Sequence, residues 1–309
     1  MILSNLESKW AGFLDHDVTY SFLHSPTAII AAIITVSFFI LSFGAPFITS
    51  YTPFDPGSLD LMDGFIPPAW TSDGVAEHLL GTDGQGRDIL AAIFYGTQVS
   101  LTVGLLSVVL SISIGIPLGI IAGYFGGITD TAIMRVADVQ LTIPPILIAL
   151  MIDGVARTVF THSLHEVVAI PVLIVSIGIA SWPQYARISR SGAMVERKKD
   201  YIAAAQLIQT PTYLILIRHI VPNVFGPTLI VATIGVAVAI IIEATLSFLG
   251  VGVPPTAPSL GTLIRIGNDF VFSGEWWITF FPAFTLVLLV LSVNLIGDWL
   301  RDTFNPKLR

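Results

Sequence analysis

The chain has 309 residues, of which 54% are hydrophobic and only 11% are charged, and its mean hydropathy is +0.83. Soluble domains carry about 25% charged residues, so this composition is typical of a membrane protein. A net charge of −7 argues against nucleic-acid binding, which needs a basic surface. The absence of cysteine excludes disulfides and thiolate metal sites.

Several apolar runs are long enough, at about 20 residues each, to cross a hydrocarbon core of ~30 Å as helices. The runs are continuous rather than alternating, which favours helices over a β-barrel. Residues 1–28 are too charged for a secretory signal, so we expect a cytoplasmic segment followed by a retained first helix. We predict an all-α membrane protein whose transmembrane domain occupies residues 29–309. The six predicted spans are 29–49, 97–123, 129–153, 167–188, 224–248 and 278–299.

The basic residues between these spans predict the orientation. With a cytoplasmic N-terminus, the inner segments hold nine Lys and Arg and the outer segments hold three. The positive-inside rule therefore places both termini in the cytoplasm. The outer loops, 50–96, 154–166 and 249–277, carry ten acidic residues, which indicate either a solvated surface or a docking face for an external partner.

The longest inner loop, residues 189–223, has helical character of its own. Residues 200–208 favour a first short helix, and Thr210 and Pro211 suit the N-cap and first position of a second one. We expect Pro222 to end the second helix and Asn223 to cap the next span. The loop is thus predicted to be a helix–turn–helix on the inner membrane surface.

Three consecutive alanines give the first short helix of this loop very little bulk. Ala203, Ala204 and Ala205 would suit a helix that fits closely into a groove of another protein. Alanine is also the best helix former, so composition alone leaves the structural reading equally open.

The stretches "DYIAAAQLIQ" and "RHIVPN" in this loop resemble the coupling loop of binding-protein-dependent ABC importer permeases, in the dipeptide, oligopeptide and nickel branch. Ala203 replaces the usual Glu and Gln209 the usual Gly, so Gln209 must adopt an ordinary turn or bear strain. The resemblance implies a set of ATPase-coupling residues. They are Ala203, Ala204, Ala205, Gln206, Gln209, Thr210, Pro211, His219, Pro222 and Asn223.

Three other segments resemble the same branch: "HLLGTDGQGRD" before the second span, residues 243–264, and the tail "GDWLRDTFNPKLR". Together the matches extend over residues 78–309. They imply a type I importer permease fold in a bacterial or archaeal inner membrane, moving peptides or similar small solutes. The implied partners are a homologous second permease, two ABC ATPase subunits, an extracytoplasmic substrate-binding protein and membrane lipid.

The chain has no P-loop sequence, so it is not expected to be an enzyme. We expect no cofactor of its own, with ATP and Mg²⁺ bound by the partner ATPase subunits. Gly81, Gly84 and Gly86 lack the spacing of a nucleotide fingerprint. His162 and His165 are expected to be solvated loop residues, and no metal site is predicted.

In the first outer loop, Asp83, Arg87 and Asp88 are spaced so that they can pair and order the segment. The alternative is that these side chains contact the binding protein or the cargo. Both possibilities place them on the outer side of the membrane.

Charged residues inside the predicted spans are functional candidates, since an unpaired charge costs several kcal/mol there. Arg135 and Asp138 share one helical face and could neutralise each other or line the pathway. Glu243 could pair helices or contact cargo. A competing class is a secondary transporter or channel that uses Asp138 or Glu243 for ion coupling. That class leaves the alanine-rich loop unexplained.

Overall fold

The computed structural model describes residues 16–49, 52–55, 57, 59–159, 162–254 and 256–304, with residues 16, 17 and 162–167 described by their backbone alone. Within these residues the chain is helical, apart from loops and an isolated antiparallel bridge between Thr82 and Asp88. The α-helices are α1 (His16–Leu23), α2 (Pro26–Phe43), α3 (Ala45–Ile48), α4 (Ile89–Phe125), α5 (Gly127–Leu141), α6 (Pro145–Val159), α7 (His162–Glu196), α8 (Asp200–Leu207), α9 (Thr212–Ile215), α10 (Val221–Phe248), α11 (Leu260–Asn268) and α12 (Trp277–Thr303).

The predicted membrane bundle is confirmed, with one span broken. Among the described residues, 5 helices are long and apolar enough to cross a membrane, and α5 with α6 makes a sixth if the pair counts as one span. The span predicted over 129–153 is formed by two helices, because α5 and α6 meet at an angle of 89°. Pro144 and Pro145 lie at this break, where proline removes a backbone donor.

Most helix ends differ from the predicted spans, because helices continue beyond the apolar core. α4 begins at Ile89, since the Asp88 carboxylate accepts a hydrogen bond from the amide of Ala91 at 2.7 Å. α7 extends to Glu196 instead of ending at 188, and α12 extends to Thr303 instead of 299. His162 opens α7, so the prediction of a loop there is wrong. The side chains of His162 and His165 lie outside the described residues.

A stripe of glycines brings α4 and α7 into backbone contact. Gly115, Gly119 and Gly123 lie four residues apart on α4 and face α7. A methyl group added at Gly119 would lie 2.2 Å from the carbonyl oxygen of Ala186. Small residues at this spacing let membrane helices approach closely, since van der Waals packing drives their association. These two helices form the most extensively packed pair of the bundle.

The inner loop rests on the inner ends of α4 and α7. One buried apolar cluster contains side chains of both helices together with residues of α8 and of the segment that follows it. Its central contributors from the loop are Ile202, Ala205, Ile215 and Ile220. The loop is therefore a packed part of the bundle, and its remaining side chains face outward.

Candidate functional site

The first short helix of the inner loop, α8, has one buried and one exposed face. Ile202 and Ala205 are buried against the bundle. Ala203 and Ala204 are exposed, as expected for docking residues. The prediction is wrong for Ala205, because a position three residues after Ile202 lies on the same helical side as that core residue.

Two residues that the prediction did not include complete the exposed face of α8. Leu207 and Ile208 follow Ala203 and Ala204 by four residues each, so they lie on the same side. Leu207 is 84% exposed and Ile208 is 78% exposed. We call Ala203, Ala204, Leu207 and Ile208 the coupling face. The sequence signal that could have revealed this face is the pair of bulky apolar residues directly before the turn.

The turn after α8 is a Schellman motif, which requires a left-handed backbone conformation at position 209. The backbone amide of Thr210 donates to the carbonyl of Ala205 at 3.0 Å. The backbone amide of Gln209 donates to the carbonyl of Gln206, also at 3.0 Å. Gln209 lies at the left-handed position of this motif, with φ +58°. Glycine takes that conformation without steric cost, so Gln209 carries the strain that the sequence left as one of two possibilities.

The second half of the loop is continuous with the next span. α9 passes through a π-helical segment, Leu216–Ile220, directly into α10. Pro222 lies in the first turn of α10, so the prediction that it ends a helix is wrong. The side-chain amide of Asn223 donates to the backbone carbonyl of His219 at 2.6 Å, inside the helix, and does not cap the span. The N-cap position of α9 belongs to Pro211, not Thr210.

Polar contacts fix α8 to its surroundings. The Glu196 carboxylate accepts hydrogen bonds from the Lys199 ammonium, at 2.9 Å, and from the Tyr201 hydroxyl. Partial burial of the hydroxyl and its bond to Glu196 raise the pKa of Tyr201 to about 12. Gln206, which was expected to dock, donates to the Tyr124 hydroxyl at 3.3 Å and so holds α8 to α4. The coupling face is therefore presented on an anchored helix.

Comparison with known proteins identifies the family. A family model described as "Binding-protein-dependent transport system inner membrane component" matches residues 115–309. The dipeptide transport system permease protein DppC of Haemophilus influenzae is 34% identical over 94% of this chain and 94% of its own length. DppC of Escherichia coli is 36% identical over 87% of this chain and 86% of its own.

The chain belongs to this permease family. It is a multi-pass component of an inner membrane. In transporters of this family, ATP is hydrolysed by subunits separate from the permease. The resemblance found in the sequence is thereby confirmed.

The fold of the permease agrees with a solved transporter. A chain in an inward-facing structure of the MetNI methionine ABC transporter superposes with a TM-score of 0.54 at 18% identity. The superposition covers 69% of the permease and 97% of that chain. The type I permease fold expected from the sequence is confirmed.

In the outer loop of the permease, Asp83, Arg87 and Asp88 act as the internal scaffold. Arg87 donates to the Asp83 carboxylate at 2.8 Å, and both side chains are buried. Asp88 caps α4 and lies 3.1 Å from the Nδ1 atom of His78. The expected ordering of this segment is what the geometry provides. A docking role for the three buried side chains stays a prediction.

The acidic residues of α5 pair with α7 and not within their own helix. Asp138 accepts from Arg187 at 2.6 Å, so the predicted pair with Arg135 is wrong. Asp130 accepts two hydrogen bonds from Arg190, at 2.5 Å and 2.6 Å, and the sequence analysis missed this pair. Both contacts bridge distant parts of the chain, which the spacing within one helix does not reveal. Pathway roles for Arg135 and Asp138 stay predictions.

Glu243 joins helices, in agreement with one of its two predicted roles. Its side chain is fully buried near the outer end of α10. One carboxylate oxygen accepts from Ser100 of α4 at 2.7 Å, and the other accepts from Ser247 at 2.7 Å. Contact between Glu243 and a cargo stays a prediction.

Proposed function

We propose that the permease couples ATP hydrolysis on partner subunits to import through its coupling face. The observation that carries this proposal is the exposure of Leu207 and Ile208 on an anchored helix at the basic, inner side of the protein. Burial of apolar surface contributes about 25 cal/mol per Å², so a partner that covers this face gains substantial binding free energy. The small side chains of Ala203 and Ala204 allow its groove to approach the helix closely.

Large apolar side chains are also exposed after the turn. Tyr213 and Ile217 are 62% and 64% exposed, and they flank the start of the helix that becomes α10. Exposed apolar side chains on both sides of the turn suit an interaction site. We propose that one ATPase subunit covers it, and that a second ATPase docks on the matching loop of a second permease.

The second permease is supported by an apolar cleft between α4 and α10. The cleft has a volume of about 590 Å³, and Val109 and Leu229 line its walls. Its lining is apolar, which suits packing against a helix of a homologous subunit. We propose that the translocation pathway forms where the two permeases meet.

We propose peptides as the cargo, delivered by an extracytoplasmic binding protein. Support comes from relatives that are named dipeptide or di/tripeptide transport permeases and match most of the chain. For the binding protein we favour the exposed tip of the first outer loop, where Leu61 and Met62 are exposed. The amide of Phe65 donates to the Asp83 carbonyl at 3.0 Å, so the buried Asp83–Arg87 pair supports this tip from beneath.

Co-purification of the tagged permease with its ATPase subunits tests the coupling proposal. Ala204→Arg and Leu207→Asp alter the coupling face and should abolish ATPase recovery while leaving the membrane bundle folded. Val195→Asp is the matched control, because Val195 is 63% exposed but lies outside the coupling face. Recovery of ATPase with either coupling-face variant at the wild-type level would contradict the proposal.

Ala205→Arg separates docking from folding. Ala205 is buried against the bundle, so an arginine there should destabilise the loop itself. Its loss of ATPase recovery should therefore come with increased proteolysis of residues 196–215, whereas Ala204→Arg should leave the proteolysis pattern unchanged.

A further inference from the structure

Three elements of the outer half of the permease meet at Glu243. The hydroxyl of Ser100 on α4 donates to the Glu243 carboxylate on α10 at 2.7 Å. The same hydroxyl accepts a hydrogen bond from the backbone amide of Leu260, the first residue of α11, at 3.3 Å. Ser247 donates to the second carboxylate oxygen at 2.7 Å and orients the group. Ser100 and Glu243 therefore form a relay that joins α4, α10 and α11.

Backbone contacts surround this relay. A methyl group added at Gly261 of α11 would lie 2.3 Å from the Ala244 carbonyl oxygen of α10. A methyl group added at Gly96 of α4 would lie 3.3 Å from the amide of Leu260. α11 thus packs closely against both long helices at these two glycines.

The choice of a carboxylate at position 243 has a physical reason. Each of its two oxygens accepts from a different hydroxyl, and a carboxylate offers these two separate acceptor atoms whereas serine has one side-chain oxygen and alanine has none. Among the described residues, no Lys or Arg forms an ion pair with Glu243, so these hydrogen bonds offset the cost of burying it. Removing one donor leaves a buried acceptor unsatisfied, which is more costly than the bond itself.

One continuous helical segment connects this relay to the inner loop, residues 189–223, which carries the coupling face and is called the coupling loop below. The segment Thr212–Phe248 has 37 residues and carries the loop turn at one end and Glu243 near the other. At about 1.5 Å per residue it is ~55 Å long. Its π-helical part, Leu216–Ile220, lies at the inner end, and such insertions are frequent at functional sites.

We propose that Glu243 is a positioning residue that fastens the outer helix α11 to α4 and α10. A docked binding protein that displaces the first outer loop also displaces α11, because Phe65 of that loop packs against Phe270, two residues after α11, with ring centroids 5.1 Å apart. The movement is then transmitted along Thr212–Phe248 to the coupling loop. The inference rests on the proposed function. Glu243 contacts neither cargo nor nucleotide in this role, and its effect is on the link between binding-protein docking and ATPase activity.

The test compares variants in the complete complex of permeases, ATPases and binding protein, reconstituted in nanodiscs. Ser100→Ala breaks the relay, and Glu243→Ala removes its centre. Glu243→Gln keeps one oxygen acceptor and adds an amide donor, so it should restore most of the link. Ser107→Ala is the matched control, because Ser107 is buried on the same helix and its hydroxyl has no hydrogen-bond partner in the described part of the chain.

The measured quantity is the ratio of ATPase activity with binding protein to activity without it. We expect Ser100→Ala and Glu243→Ala to lower this ratio about tenfold, Glu243→Gln by at most about twofold, and Ser107→Ala not at all. A ratio for Ser100→Ala equal to that for Ser107→Ala overturns the inference. If Glu243→Ala does not assemble, Ser100→Ala decides alone. Absence of ATPase activity in the wild-type complex would instead refute the proposed function.

A distance measurement separates this role from a general loss of stability. The chain has no cysteine, so spin labels can be attached to cysteines introduced at Asn268 in α11 and Ile241 in α10. Both positions are exposed. The distance distribution should be narrow in the Ser107→Ala background and broad in the Ser100→Ala background. Equal widths in the two backgrounds would overturn the inference.

Discussion

Gln209→Gly should stabilise the turn of the coupling loop. The residue lies at φ +58°, at the position of the Schellman motif where glycine has no steric penalty. A left-handed conformation costs an L-residue about 1–2 kcal/mol, and glycine gives the opened loop extra freedom worth about 0.5 kcal/mol. The expected net gain is about 1 kcal/mol, which corresponds to a factor of about five in the opening equilibrium.

Hydrogen exchange across the turn measures this gain. The relevant amides are those of Gln209 and Thr210, which donate to Gln206 and Ala205. Their exchange should slow about fivefold in Gln209→Gly. Gln209→Ala is the control, because it removes the same side chain but keeps the Cβ atom that causes the strain. Equal protection in both variants would refute the reasoning, since the effect would then come from the glutamine side chain and not from the backbone.

Three further predictions concern packing and polar contacts. Gly119→Ala should lower the free energy of unfolding by about 2 kcal/mol or more, because the new methyl group would clash with the backbone of α7. Gly154→Ala is the control and should not lower it, because nothing lies within 4 Å of the added methyl group. Thermal unfolding in detergent measures both variants. Asp83→Ala leaves Arg87 buried without its ion-pair partner and should lower the stability of the first outer loop by about 3 kcal/mol. We expect faster proteolysis of this loop, and an unchanged rate would contradict the scaffold role. Because the pKa of Tyr201 is raised to about 12, its hydroxyl stays protonated below pH 10, and stability from this shift is lost only as pH rises from about 10 towards 12. Tyr201→Phe should therefore loosen α8 equally at pH 7 and pH 9 by hydrogen exchange, and a smaller effect at pH 9 would contradict this protonation state.

The membrane bundle could be predicted from the sequence, because an apolar run of sufficient length has few alternatives to a helix in lipid. The ends of the helices could not, since polar residues continue a helix once they leave the hydrocarbon core. Glu196 and Thr303 end their helices well beyond the predicted limits for this reason. Pro222 was misread because proline is compatible with the first turn of a helix as well as with a helix end.

Within the coupling loop, the sequence motif located the short helix α8 but did not show which side of that helix is exposed. An alanine run has no amphipathic pattern, so it cannot show that Ala204 is exposed and Ala205 buried. The pairs Asp138–Arg187 and Asp130–Arg190 join helices that are distant in the chain. Their spacing follows from the packing of α5 on α7, which no local rule encodes. The strain at Gln209 was foreseen as a possibility because it depends on one local dihedral angle.

Uptake of a labelled dipeptide into proteoliposomes that contain the permeases, the ATPases and the binding protein tests the central claim most directly. Import should require ATP and the binding protein together, and Leu207→Asp should abolish it while Val195→Asp leaves it unchanged. Uptake that persists without ATP, or that survives Leu207→Asp at the wild-type rate, would contradict the claim that this permease is driven through its coupling face.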